Sequence, residues 1–76
     1  MEIISFNSIP EKYEKEKDGR KPYTVRFTDD WIKERWDEYY CATHIQIRCT
    51  EKLEYFIRKI TNKTTFKNLV IISWKN

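Results

Sequence analysis

Seventy-six residues with a net charge of +3 give room for one small domain. Apolar residues reach 39% and aromatics 16%, too many for a disordered chain. One Gly and two Pro exclude collagen-like and linker classes. The apolar run 69–72 falls far short of the roughly 20 residues a membrane helix needs. The start, Met1-Glu2-Ile3-Ile4, has no basic region ahead of an apolar one, so no secretion signal is expected. Two cysteines, Cys41 and Cys49, do not make a disulfide framework and are expected as reduced thiols in a cytoplasmic protein. Charge is uneven: residues 1–40 carry 8 Lys/Arg and 10 Asp/Glu (−2), residues 41–76 carry 7 and 2 (+5). An electropositive second half permits an anionic partner such as nucleic acid without requiring one.

Residues 2–6 read as a short first strand. Ser8-Ile9-Pro10-Glu11 then opens a helix, with Ser8 as cap, Pro10 in the first turn and Glu11 at the positive end of the dipole. It runs to Asp18 with Ile9, Tyr13 and the stem of Lys17 as its apolar edge. Gly19, the one glycine, stands where a left-handed residue would end the helix. Residues 22–27 alternate with a period of two, placing Thr24 and Arg26 on one face of a strand and Tyr23, Val25 and Phe27 on the other.

Thr28 is positioned to cap a second helix over residues 29–39, where Trp31, Ile32, Arg35, Trp36 and Tyr39 form a stripe. Three strands complete the chain. Residues 43–50 alternate with Ile45, Ile47 and Cys49 on one face. Residues 53–60 follow, 61–65 read as a polar connection, and 66–74 read as a strand buried on both faces. The expected order is β-α-β-α-β-β-β. The expected fold is α+β: a small, mostly antiparallel sheet with two helices, curled into a partly closed barrel to protect its edges.

The stretch Gly19-Arg20-Lys21-Pro22-Tyr23-Thr24-Val25-Arg26, of the form G-x-K-x-x-T-x-R, resembles the signature of the ASCH domain, a branch of the PUA-like superfamily. The resemblance spans residues 2–27 and 55–75. Residues 31–40 match nothing in the family, and Pro22 replaces a more usual residue. The resemblance implies an RNA- or nucleotide-binding module. Some family members are amidohydrolases of acylated cytidine that use a lysine, a threonine and a distant glutamate; the first two map to Lys21 and Thr24. The glutamate does not map, since it comes from a helical insertion before the last strand. Glu51 and Glu54 are substitutes by composition only.

A cation, a hydroxyl and a guanidinium at a helix–strand junction suit a phosphate or a base edge. The candidate ligand-binding residues are therefore Arg20, Lys21, Thr24 and Arg26, with Arg48, Arg58, Lys59, Lys63 and Lys67 as candidates for backbone contact. The bland alternative is that Arg20 and Lys21 are solvated and Arg26 pairs with a carboxylate such as Asp18. Tyr23, Trp31, Trp36, Tyr39 and Tyr40 are candidate stacking surfaces, weighed against core packing, with Tyr39 and Tyr40 expected to be the most exposed pair. Short Lys/Asn/Ile-rich proteins of this kind resemble those of phages and mobile elements. Trp31, Trp36, Tyr39 and Tyr40 would then serve a protein partner, as an inhibitor of a host or defence system. The acidic cluster Asp29, Asp30, Glu34, Asp37 and Glu38 would keep RNA off this helix.

Cys41, His44 and Cys49 fall short of a four-ligand zinc site, and the strand phase separates His44 from Cys49. No metal or cofactor is expected. Cys49 reads as core and Cys41 as a free thiol.

Overall fold

A computed structural model of the chain describes residues 1–75. Its elements are β1 (Ile3–Ser8), α1 (Pro10–Lys17), β2 (Tyr23–Phe27), α2 (Lys33–Cys41), β3 (His44–Cys49), β4 (Tyr55–Phe66) and β5 (Leu69–Trp74). The five strands form one sheet in the order β1-β3-β4-β5-β2. β1 runs parallel to β3, and the other three pairings are antiparallel. The α+β class, the two helices and the curled, mostly antiparallel sheet agree with the sequence expectation. No helix among the described residues is long and apolar enough to cross a membrane.

β4 causes the curl. Its first half pairs with β3 and its second half with β5, with a register shift between Ile60 and Asn62. A bulge there bends the strand and carries the ladder from one wall to the next. Residues 61–65 are thus strand rather than connection. The two threonines at 64 and 65 are β-branched and favour extended backbone, although the segment is polar. The turn into β5 is Lys67-Asn68, and Lys67 takes φ 53°, a left-handed value uncommon outside glycine.

The core follows from alternation. Ile4, Phe6, Ile45, Ile47, Cys49, Phe56, Val70, Ile72 and Trp74 point inward and meet Tyr13 from α1 and Tyr39 from α2. β5 is therefore buried on one face only; Leu69, Ile71 and Ser73 are partly exposed. β2 departs furthest from hydrophobic sorting. Its polar residues Thr24 and Arg26 face inward, whereas Tyr23, Val25 and Phe27 are exposed.

Both helices begin later than their expected caps. Ile9 precedes α1 without a side-chain cap, because Ser8 ends β1 and its hydroxyl accepts a bond from Arg26. The Thr28 carbonyl accepts the Trp31 amide in a turn, and Ile32 is the residue before α2. Asp29 and Asp30 therefore lie outside the helix. At the other end of α1 Gly19 adopts φ 91°, as expected, and the Lys21 amide returns to the Lys15 carbonyl at 2.9 Å.

Candidate functional site

β1 and β2 are the two edges of the sheet, and the curl brings them together. Arg26 bridges the seam. Its Nη1 donates to the Asn7 carbonyl at 2.8 Å, its Nη2 to the Ser8 hydroxyl at 2.9 Å, and its Nε to the Thr24 hydroxyl at 2.9 Å. The guanidinium rests on the Phe6 ring at 4.8 Å, and Arg35 from α2 covers the same ring at 4.4 Å. Burial pulls the Arg26 guanidinium below its ordinary value. The negative charge of Glu16 opposes that shift, and the positive charge of Arg35 adds to it. An arginine nonetheless stays charged at any pH the fold would meet.

Below this seam, between α1 and β2, lies a cavity of about 170 Å³ lined by Ser8, Lys12, Glu16, Lys21, Thr24 and Arg26, among others. Lys21, Thr24 and Arg26 thus share one hollow. A fourth member, Glu16, is not among the residues expected from the sequence. This carboxylate is 1% exposed, and neither of its oxygens has a hydrogen-bond partner among the described residues. Among the described residues its one ion pair is with Lys21, whose Nζ lies 3.7 Å from Oε2, and Arg26 on the same wall also feels its charge.

Buried polar groups are normally hydrogen-bonded, and an unsatisfied one costs about 1–3 kcal/mol, more when charged. Tyr13 Oη and Trp74 Nε1 are also buried without partners, but both are neutral and neither lines this cavity. Lys12 has no ion pair among the described residues and stands at the same wall. The cavity therefore presents a buried acceptor pair, lysine cations, and a threonine hydroxyl whose proton remains available because its oxygen already accepts from Arg26.

The other candidates divide sharply. Arg20 turns away and pairs with Asp18 through Nε–Oδ2 at 2.7 Å. Arg58 lies over Phe56 at 4.8 Å and donates to the carbonyl of Lys17 at 3.3 Å, sealing the end of α1. Lys63 donates to the Tyr40 carbonyl at 3.2 Å. Lys67 lies over Phe66 at 5.4 Å. Arg48 and Lys59 are exposed on β3 and β4. Glu51 and Glu54 are exposed and lie outside the cavity.

The aromatic stripe is mostly packing. Trp31 meets Trp36 edge-on at 5.0 Å, and both contact Tyr39 at 5.9 Å. Tyr39 is 2% exposed and shares a 3.2 Å hydrogen bond with Thr65, against the expectation of an open Tyr39–Tyr40 pair. Only Tyr40 of the four is exposed. Cys41 is an exposed free thiol and Cys49 a buried one.

A larger concavity of about 680 Å³ opens beside the β3–β4 connection. It is a broad groove with no fully buried charge on its walls, so the smaller cavity is the stronger candidate for specific chemistry. No family model, no curated protein and no solved structure matches this chain.

Proposed function

We propose that this chain binds single-stranded RNA or a nucleotide by taking one base into the cavity between α1 and β2. The observation that carries this reading is the buried carboxylate of Glu16, which faces the cavity with both oxygens lacking a donor. A base edge bearing an amino group supplies such donors, and carboxylates accept from base amino groups in just this sense. Lys21 and the Thr24 hydroxyl meet ring nitrogens or carbonyls, and Lys12 on the cavity wall supplies a cation for the phosphate.

Size supports a fragment rather than a whole ligand. A drug-sized molecule fills about 300–1,000 Å³, so a hollow of about 170 Å³ admits one ring and leaves sugar and phosphate outside. The ASCH-like signature over Gly19 to Arg26 points to the same class of ligand. Arg26 changes role: its bonds to Asn7, Ser8 and Thr24 make it the brace that holds the wall rather than a ligand contact.

The test is titration with the four ribonucleoside 5′-monophosphates at low salt. The amino-bearing bases bind, and UMP, whose one ring N–H is flanked by two carbonyls, binds weakest. Charge-assisted hydrogen bonds contribute about 1.5–3 kcal/mol, so Glu16→Gln weakens AMP binding by roughly 10- to 150-fold. Absence of any binding, or equal affinity in Glu16→Gln, would refute the proposal.

One observation favours a second reading. With Glu16 beside Lys21 and Thr24, the three residue types used by ASCH-type amidohydrolases share a cavity, although the glutamate comes from α1 rather than from an insertion before the last strand. A carboxylate would take the hydroxyl proton as Thr24 attacks an acyl carbon and return it to the departing amine. A water molecule deprotonated by the same carboxylate would then hydrolyse the Thr24 ester to free acetate and restore the hydroxyl. This reading requires acetate release from N4-acetylcytidine that disappears in Thr24→Val, and it fails if wild-type protein releases none.

A further inference from the structure

On the outer face of the sheet, three side chains from three strands lie in one row. Asn7 is in register with Arg48 across β1 and β3, and Arg48 with Tyr55 across β3 and β4. All three are exposed, Tyr55 at 61%. None of their side chains has a hydrogen bond, ion pair or ring contact among the described residues. Directly opposed strand positions hold their Cβ atoms about 4.5–5.5 Å apart, so Arg48 and Tyr55 leave the sheet as neighbours, a cationic and an aromatic side of one platform.

The row opens into the groove of about 680 Å³, where Lys52 and the fully exposed Leu53 form part of the wall. The groove is not an isolated feature, because Asn7 lines both it and the Glu16 cavity.

We infer that this platform takes the nucleotide next to the one held at Glu16, with its base stacked on Tyr55 and Arg48. This inference rests on the base-cavity reading. Stacking fits the chemistry better than phosphate capture. Lys52 is engaged with Glu14 at 3.7 Å, and Glu54 adds a negative charge to the groove. An aromatic ring beside a planar guanidinium instead offers π-faces that accept any base. Asn7 stands between the two subsites and can hydrogen-bond the linking sugar or phosphate.

The experiment compares AMP with the dinucleotide pApA. Each stacked base adds roughly 1–3 kcal/mol, so pApA binds about 5- to 150-fold tighter than AMP. Tyr55→Ala and Arg48→Ala each remove most of that gain and leave AMP affinity unchanged, whereas Tyr55→Phe keeps it. Both positions are exposed, so the variants are expected to fold, with circular dichroism as the check. Equal affinity for AMP and pApA would overturn the inference, as would a pApA advantage untouched by Tyr55→Ala and Arg48→Ala. In either case, AMP binding that still depends on Glu16 leaves the base cavity standing. Failure of both ligands to bind removes the cavity and the platform together.

Discussion

Two charged side chains line the same cavity and are treated in opposite ways. Arg26 has its donors distributed over Asn7, Ser8 and Thr24, joining two strand edges that share no backbone ladder. Glu16 is more deeply buried and has no hydrogen bond among the described residues; its ion pair is with the Lys21 ammonium at 3.7 Å. A buried charge with saturated bonds is a structural brace. A buried charge left with open acceptors weakens the fold unless something else engages it. The difference separates the residue that builds the cavity from the residue available to a ligand.

The contrast can be broken first at the brace. Arg26→Met keeps much of the side-chain volume but strands the Thr24 and Ser8 hydroxyls and frees the β1–β2 seam. The expected loss is about 2–4 kcal/mol, and in so small a domain each kcal/mol lowers Tm by roughly 4–8 °C. A Tm within about 2 °C of wild type, on the same scale, would mean the seam is held by other contacts.

A smaller effect sharpens the comparison from the neutral side. Tyr13 is fully buried with its hydroxyl unpartnered. Tyr13→Phe removes an unsatisfied polar atom and raises stability by about 1 kcal/mol in urea unfolding. Burial, followed by the negative charges of Glu54, Cys49 and Glu14, raises the Tyr13 hydroxyl above its ordinary value of 10.0, with Arg58 opposing. As pH rises through that ordinary value, the unfolded chain loses this proton while the folded chain keeps it. Stability therefore falls from there upward until the folded hydroxyl also ionises. The phenylalanine variant lacks this part of the alkaline decline, and an unchanged decline would show that Tyr13 does not contribute to it.

Much of the frame was legible because short-range signals set it. Gly19 marked the end of α1, and the period of two placed Thr24 with Arg26 and Ile45 with Ile47. What escaped depended on tertiary contacts. Ser8 and Thr28 are good caps in isolation, but the first is used by Arg26 and the second by a turn. Residues 61–65 look like a polar loop until β5 is there to pair with them.

Glu16 was hidden among alternating helix charges. The one available clue was its spacing of three from Tyr13, which puts both on the buried face of α1. An acid is the less expected residue against a core, and the stem of Lys17 is the more natural candidate for that face. Trp31, Trp36 and Tyr39 have the composition of an interface, yet Tyr39 belongs to the buried core and both tryptophans pack against it.

Thermal unfolding and AMP titration of the Glu16→Met variant, measured together, bear most directly on the central claim. If the carboxylate is there to meet a ligand, the variant unfolds at a higher temperature than wild type and no longer binds AMP. If Glu16→Met instead lowers Tm while AMP binding persists, Glu16 is a structural partner of Lys21 and the cavity is not a base-binding site.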